Sequence, residues 1–206
     1  MIQWLKNLFR KKDQSVFVAP AAPVVVKPPS PTRDWIADLI VAECRKWVGV
    51  RENGSNKGTE VEMFQKATDG RASGEAWCMA FVQFVVRAIL KQLGLNKNPF
   101  HASEHCLTVW NNTPEKYRSQ VGGRGMVPIW RHGSTSSGHT GVSLDSGKVT
   151  FKTIEGNTNS AGSREGDGVY DKTRYMLGGS MKLVGFIDLP QMLLDITPDL
   201  DIITKT

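Results

Sequence analysis

Residues 76–91 constrain the fold more than any other stretch, because they are apolar on nearly every face. Met79, Ala80, Phe81, Val82, Phe84, Val85, Val86, Ala88, Ile89 and Leu90 leave almost no polar stripe. A helix of that kind is stable only when other elements surround it, so the pattern predicts a centrally buried helix. Upstream, Ile36, Ile40, Cys44 and Trp47 recur every three to four residues, with Leu39 and Val48 beside them. That spacing predicts an amphipathic helix over 34–48 with Cys44 on its core stripe. After Gly122 the period changes. Short β-prone runs at 127–130, 140–144, 149–154 and 183–187 are separated by Gly, Ser and Asp turns. Helices first and strands afterwards predict an α+β domain, with N-terminal helices packed on an antiparallel β-sheet.

The domain is expected to span residues 32–190. Ahead of it, residues 14–31 hold five of the ten prolines (Pro20, Pro23, Pro28, Pro29, Pro31) among Ala and Val, which reads as an extended linker. Residues 1–12 place Ile2, Leu5, Leu8 and Phe9 at helical spacing beside Lys6, Arg10, Lys11 and Lys12. This basic amphipathic arm suits an anionic surface such as a membrane or cell wall. As a secretion signal it is poor, since Lys6 interrupts the apolar stretch and the charges follow it. Synthesis in the cytoplasm is therefore expected. Residues 1–31 carry five Lys/Arg against Asp13, which accounts for +4 of the net +6. The nearly neutral body gives no support to a nucleic-acid partner. No run approaches the roughly 18 apolar residues of a membrane span, residues 191–206 read as a peripheral tail, and a monomer is expected.

Cys44, Cys78 and Cys106 are odd in number and contain no CxxC pair, unlike a disulfide framework or a zinc ribbon. At least one thiol is free. Cys78 begins the buried helix after the Ser73–Gly74 loop, where free backbone amides lower a thiol's pKa and can hold an oxyanion. A nucleophilic thiol needs a base and a group that orients the base. His101, His105, His132 and His139 are the four candidates. His139 opens a predicted strand, and the next strand ends in Glu155-Gly-Asn157. Pairing of those strands across the 145–148 turn brings His139 and Glu155 together, so that Glu155 fixes the imidazole tautomer. Asn157 is placed to share that task.

Three segments carry a resemblance to a known family: Trp-Cys-x-x-Phe-Val at 77–82, Gly-His-x-Gly-Val at 138–142 and Ile-Glu-Gly-Asn-Thr at 154–158. In this order they resemble the CHAP family, the cysteine, histidine-dependent amidohydrolases/peptidases, over roughly residues 40–188. Arg164-Glu-Gly-Asp-Gly-Val-Tyr170 and Gly185-Phe186 are similar to a subgroup common in bacteriophage endolysins and bacterial wall lysins. The resemblance implies a papain-like (NlpC/CHAP-type) α+β fold, with Cys78 as nucleophile, His139 as general base, Glu155 as orienting residue and Asn157 in support. It also implies cleavage of bacterial peptidoglycan, as an N-acetylmuramoyl-L-alanine amidase or a peptide endopeptidase. Some family members bind calcium ahead of the cysteine. The corresponding stretch here, 52–60, offers Glu52, Asn53, Asn56 and Glu60 without an Asp cluster. That falls short of the converging hard oxygens of a tight site, and no metal or cofactor is expected.

Other signals point elsewhere and are weaker. His101-Ala-Ser-Glu104-His105 matches the HxxEH zinc pattern, which needs a well-formed helix and a distant third ligand. It follows Asn98-Pro-Phe100, close to a turn, and defines a zinc hydrolase as the alternative. Cys106 is expected to pack beside Leu107 and Trp110. The 133–138 loop lacks the lysine of a phosphate cradle. Glu165 and Asp167 read as solvated loop carboxylates rather than a glycosidase pair, and Trp77 and Trp130 as core rather than sugar platforms. A catalytically silent wall-binding module is the remaining alternative.

Overall fold

The computed structural model describes residues 30–160 and 166–197. The basic amphipathic arm and nearly all of the proline-rich linker fall outside the described residues.

Three helices build the first half. Helix α1 spans Arg33–Arg45; the Thr32 side chain caps it by accepting the Trp35 amide at 3.2 Å, and Asp34 lies in its first turn. Helix α2, Thr59–Asp69, ends where Gly70 turns left-handed at φ 89°. Helix α3, Cys78–Leu93, is the apolar one and closes on Gly94. Met79, Ala80, Phe81, Val82, Val85, Val86 and Ile89 on it are fully buried. They are covered by α1 and α2 on one side and by strands on the other. The short helix α4, Cys106–Asn112, leads into the strand region.

The strands form two antiparallel sheets. The first has the order β1–β7–β2–β3, with β1 at Arg118–Ser119, β2 at Val127–Arg131, β3 at Gly138–Thr140 and β7 at Lys182–Ile187. The second has the order β4–β5–β6, with β4 at Val142–Ser143, β5 at Thr150–Thr158 and β6 at Gly168–Tyr175. This is a mixed α+β architecture. One run in the sequence, 140–144, is divided between the sheets at Gly141: β3 pairs with β2, and β4 pairs with β5.

The body continues past its expected end. Helix α5, Leu189–Leu194, is capped by Asp188, whose carboxylate accepts the Gln191 amide. Met192 and Leu193 are buried and α5 packs on α1. The segment after Pro190 is thus core at its start, not a peripheral tail, because its apolar side chains close the outer side of α1. No helix among the described residues is long and apolar enough to cross a membrane.

Candidate active site

Cys78 is the first residue of α3. The N-cap residue Trp77 makes no side-chain capping bond, and no acidic residue stands in the first turn. The partial positive charge of the helix start therefore acts on the sulfur unopposed, and the neighbouring Met79 amide adds to the lowering of its pKa. Trp77 is itself fixed, with its indole N–H donating to Glu52 Oε1 at 2.6 Å. Glu52 Oε2 accepts the Asn56 amide at 2.9 Å. One oxygen of that loop carboxylate thus holds the residue that precedes Cys78, and the other ties the carboxylate to its own loop.

His139 lies at the centre of β3, opposite Trp130. Its ring stacks on the Trp130 indole, with centroids 5.9 Å apart and planes at 29°. Glu155 lies on β5, in the other sheet. The seam between the sheets is closed by glycine. A Cβ at Gly141 would sit 2.6 Å from Glu155 Cγ, and one at Gly156 would sit 2.8 Å from Phe81 Cβ on α3. Only hydrogen at these two positions lets β5 approach both β3 and α3 so closely.

His139 Nε2 donates to Glu155 Oε2 at 2.8 Å when the ring is protonated. The other ring nitrogen, Nδ1, is left for the Cys78 sulfur, whose negative charge favours the protonated ring. Glu155 is fully buried, and a lone buried carboxylate is costly. Besides His139, its charge is answered by three donors from two residues. Thr153 Oγ1 donates at 2.6 Å, Arg174 Nε donates at 2.8 Å, and Arg174 Nη2 donates to the same oxygen as His139. Arg174 also lies 5.6 Å over the Trp130 ring, and it borders a cavity of about 350 Å³.

These contacts set the protonation states. Burial opposes ionisation of Glu155, but the bonds from Arg174 and His139 hold it down to about 2. Burial likewise opposes a charged His139, yet its bonds to Cys78 and Glu155 push it up to about 9. The Cys106 thiol beside Cys78, with His139 and the Met79 amide, holds the Cys78 thiol well below its usual range despite burial. A thiolate–imidazolium pair is the consistent state near neutral pH. Cys78 and His139 keep 5% and 7% exposure, a narrow opening, whereas Glu155 behind them has none.

Of the four residues singled out from the sequence, Cys78, His139 and Glu155 come together and Asn157 does not join them. Asn157 takes a left-handed φ of 50° at the irregularity in the β5–β6 pairing, where the regular strand alternation is interrupted. Arg174 and Thr153 hold the carboxylate instead. The sequence offered no local mark of Arg174, which stands on β6 among other charged residues. Cys106 is buried as expected, but its sulfur lies 3.8 Å from that of Cys78. Trp77 and Trp130 are core residues.

The HxxEH run is not helical: 101–105 is irregular, and His101 and His105 are exposed. Gln83 on α3 anchors that segment through the carbonyls of His101 and Ser103. Among the described residues, no group of three or more His, Cys, Asp or Glu side chains converges to hold a metal ion. Asp167 is exposed and accepts the Tyr170 hydroxyl; Glu165 lies outside the described residues. No protein-family model and no curated protein matches the chain.

Proposed function

We propose that the protein is a cysteine hydrolase of the CHAP type, with a papain-like fold, that cleaves an amide bond of bacterial peptidoglycan. The observation that carries this reading is the Cys78–His139–Glu155 grouping, a thiol at a helix start whose acidity is raised by a neighbouring imidazole that a buried carboxylate holds at 2.8 Å. That is the nucleophile–base–orienter order of acyl transfer. The Cys78 thiolate attacks the carbonyl carbon, and the free amides at the start of α3 receive the oxyanion. His139 protonates the leaving amine, then takes a proton from the water that clears the acyl-enzyme. The substrate class rests on the resemblance of the 77–82, 138–142 and 154–158 segments to a wall-lysin family of phage endolysins. The basic arm at 1–12 offers a complementary surface for an anionic envelope.

Mass spectrometry of fragments released from purified sacculi tests the reading. A new break between muramic acid and alanine identifies an amidase, and a new amino terminus within the stem or bridge peptide identifies an endopeptidase. Sacculi that bind the protein but release nothing soluble would overturn it in favour of a silent wall-binding module. Activity that survives Cys78→Ser but not a chelator would favour a metal hydrolase instead.

A further inference from the structure

The proposed mechanism uses one of two buried sulfurs that face each other. Cys78 starts α3 and Cys106 starts α4, and their Sγ atoms are 3.8 Å apart. Both side chains are almost enclosed, at 5% and 3% exposure. Cys106 is pinned from behind, since a Cβ on Gly138 would lie 2.9 Å from its own Cβ. A disulfide needs the sulfurs about 2 Å apart, a gap of roughly 1.8 Å that side-chain rotation at two helix starts can close.

We propose that a hydroperoxide converts Cys78 and Cys106 into a reversible disulfide, with Cys78 oxidised first and Cys106 as the resolving thiol. The Cys78 thiolate attacks one peroxide oxygen; the O–O bond breaks, a sulfenic acid forms, and the leaving oxygen takes a proton as water or an alcohol. The Cys106 sulfur then attacks the Cys78 sulfur. The S–S bond forms as the S–O bond breaks, and hydroxide leaves with the Cys106 proton as water. The peroxide gains two electrons, and the two thiols lose them.

The order of attack follows from how the two groups bias each other. In the reduced protein the hydrogen bond to Cys78, followed by burial, pushes the Cys106 thiol up. Cys78 is then the thiolate and Cys106 keeps its proton. Oxidation of Cys78 to a neutral sulfenic acid removes the negative charge that held that proton, which frees Cys106 to attack. Cys44, fully buried on α1, takes no part. The disulfide leaves His139 without a thiolate and shuts the site until a reductant reopens it. It also protects Cys78 from irreversible oxidation to the sulfinic acid.

The inference rests on the sulfur geometry and not on the substrate. Reduced full-length protein is treated with hydrogen peroxide at neutral pH and read by intact mass and non-reducing peptide mapping. The expected result is loss of the mass of two hydrogens, loss of two of the three free thiols, a Cys78–Cys106 linked peptide, and full reversal by dithiothreitol. Cys106→Ser should let the Cys78 sulfenic acid be trapped by dimedone, whereas Cys44→Ser should leave the disulfide unchanged. Gain of two oxygens on Cys78 in the unsubstituted protein, with Cys106 still open to alkylation, overturns the proposal. Protein that forms the disulfide on oxidation but, when reduced, releases nothing from sacculi keeps this inference and sinks the hydrolase reading; the opposite pair of results does the reverse.

Discussion

Cys44 and Cys78 belong to one apolar core and are almost equally shielded from water, at 0% and 5% exposure. Their acidities are nevertheless driven in opposite directions. Burial, with Glu43 beside it, raises the Cys44 thiol far above its usual value. Cys78 bears a similar desolvation penalty, yet Cys106, His139 and the Met79 amide outweigh it. Cys44 sits in the last turn of its helix, near the negative end of the dipole, and Cys78 in the first turn of another. Shielding from solvent thus says little about whether a thiol reacts. Helix position and hydrogen-bonding neighbours decide it.

The largest expected difference is in catalysis. Cys78→Ala should lower release of wall fragments by a factor on the order of a million, the scale for removing a nucleophile. Cys44→Ala should leave the rate unchanged and cost about 1 kcal/mol of stability for the lost apolar volume, read by urea unfolding. Equal losses in both variants would erase the contrast. Glu155→Gln should cost a factor on the order of ten thousand through loss of the correct tautomer, with KM much less affected than kcat.

Next comes alkylation. With iodoacetamide at pH 7, Cys78 should react on the order of a thousandfold faster than Cys44, because the thiolate is the reacting form. Peptide mapping over time checks this, and comparable rates would break the comparison. Arg174→Gln should slow turnover roughly tenfold and move the acid limb of the rate profile upward by about 1 to 3 units, since Glu155 loses its cation. An unshifted limb would reduce Arg174 to packing.

A final contrast concerns stability against pH. Glu155 titrates at about 2 in the fold against 4.5 ordinarily, so its depressed pKa contributes stability that is fully present above about 4.5. That contribution, on the order of 3 kcal/mol, disappears as pH falls from 4.5 through 2. In Glu155→Gln the decline over that window should be shallower, as read by thermal melts.

Much of this contrast was legible in the residues. The all-apolar 76–91 run locates a buried helix, and Cys78 stands at its beginning, where sequence position alone implies free amides. The hairpin of β4 and β5 follows from two β-prone runs around one turn, but the expected pairing of the His139 strand with the Glu155 strand does not form, since β3 pairs with β2 in the other sheet. Helix α2 was not legible, because its buried face mixes Val61 and Phe64 with Gln65 and Thr68 and the apolar period is blurred. Arg174 was also hidden. It shares β6 with Asp171 and Lys172, and only the register that sets it opposite Phe151 carries its guanidinium back to Glu155. The proximity of Cys78 and Cys106, 28 residues apart, likewise depends on how α4 returns to α3. Contacts of this kind are written in tertiary packing and not in any local spacing.

The passage of the chain from one sheet to the other at Gly141 has a consequence for how competence is acquired. The imidazole is delivered by one sheet and its carboxylate by the other, so a chain with either sheet unformed holds half a relay. The relay is then a property of the finished architecture: it arrives when the two sheets meet and is forfeited whenever they part.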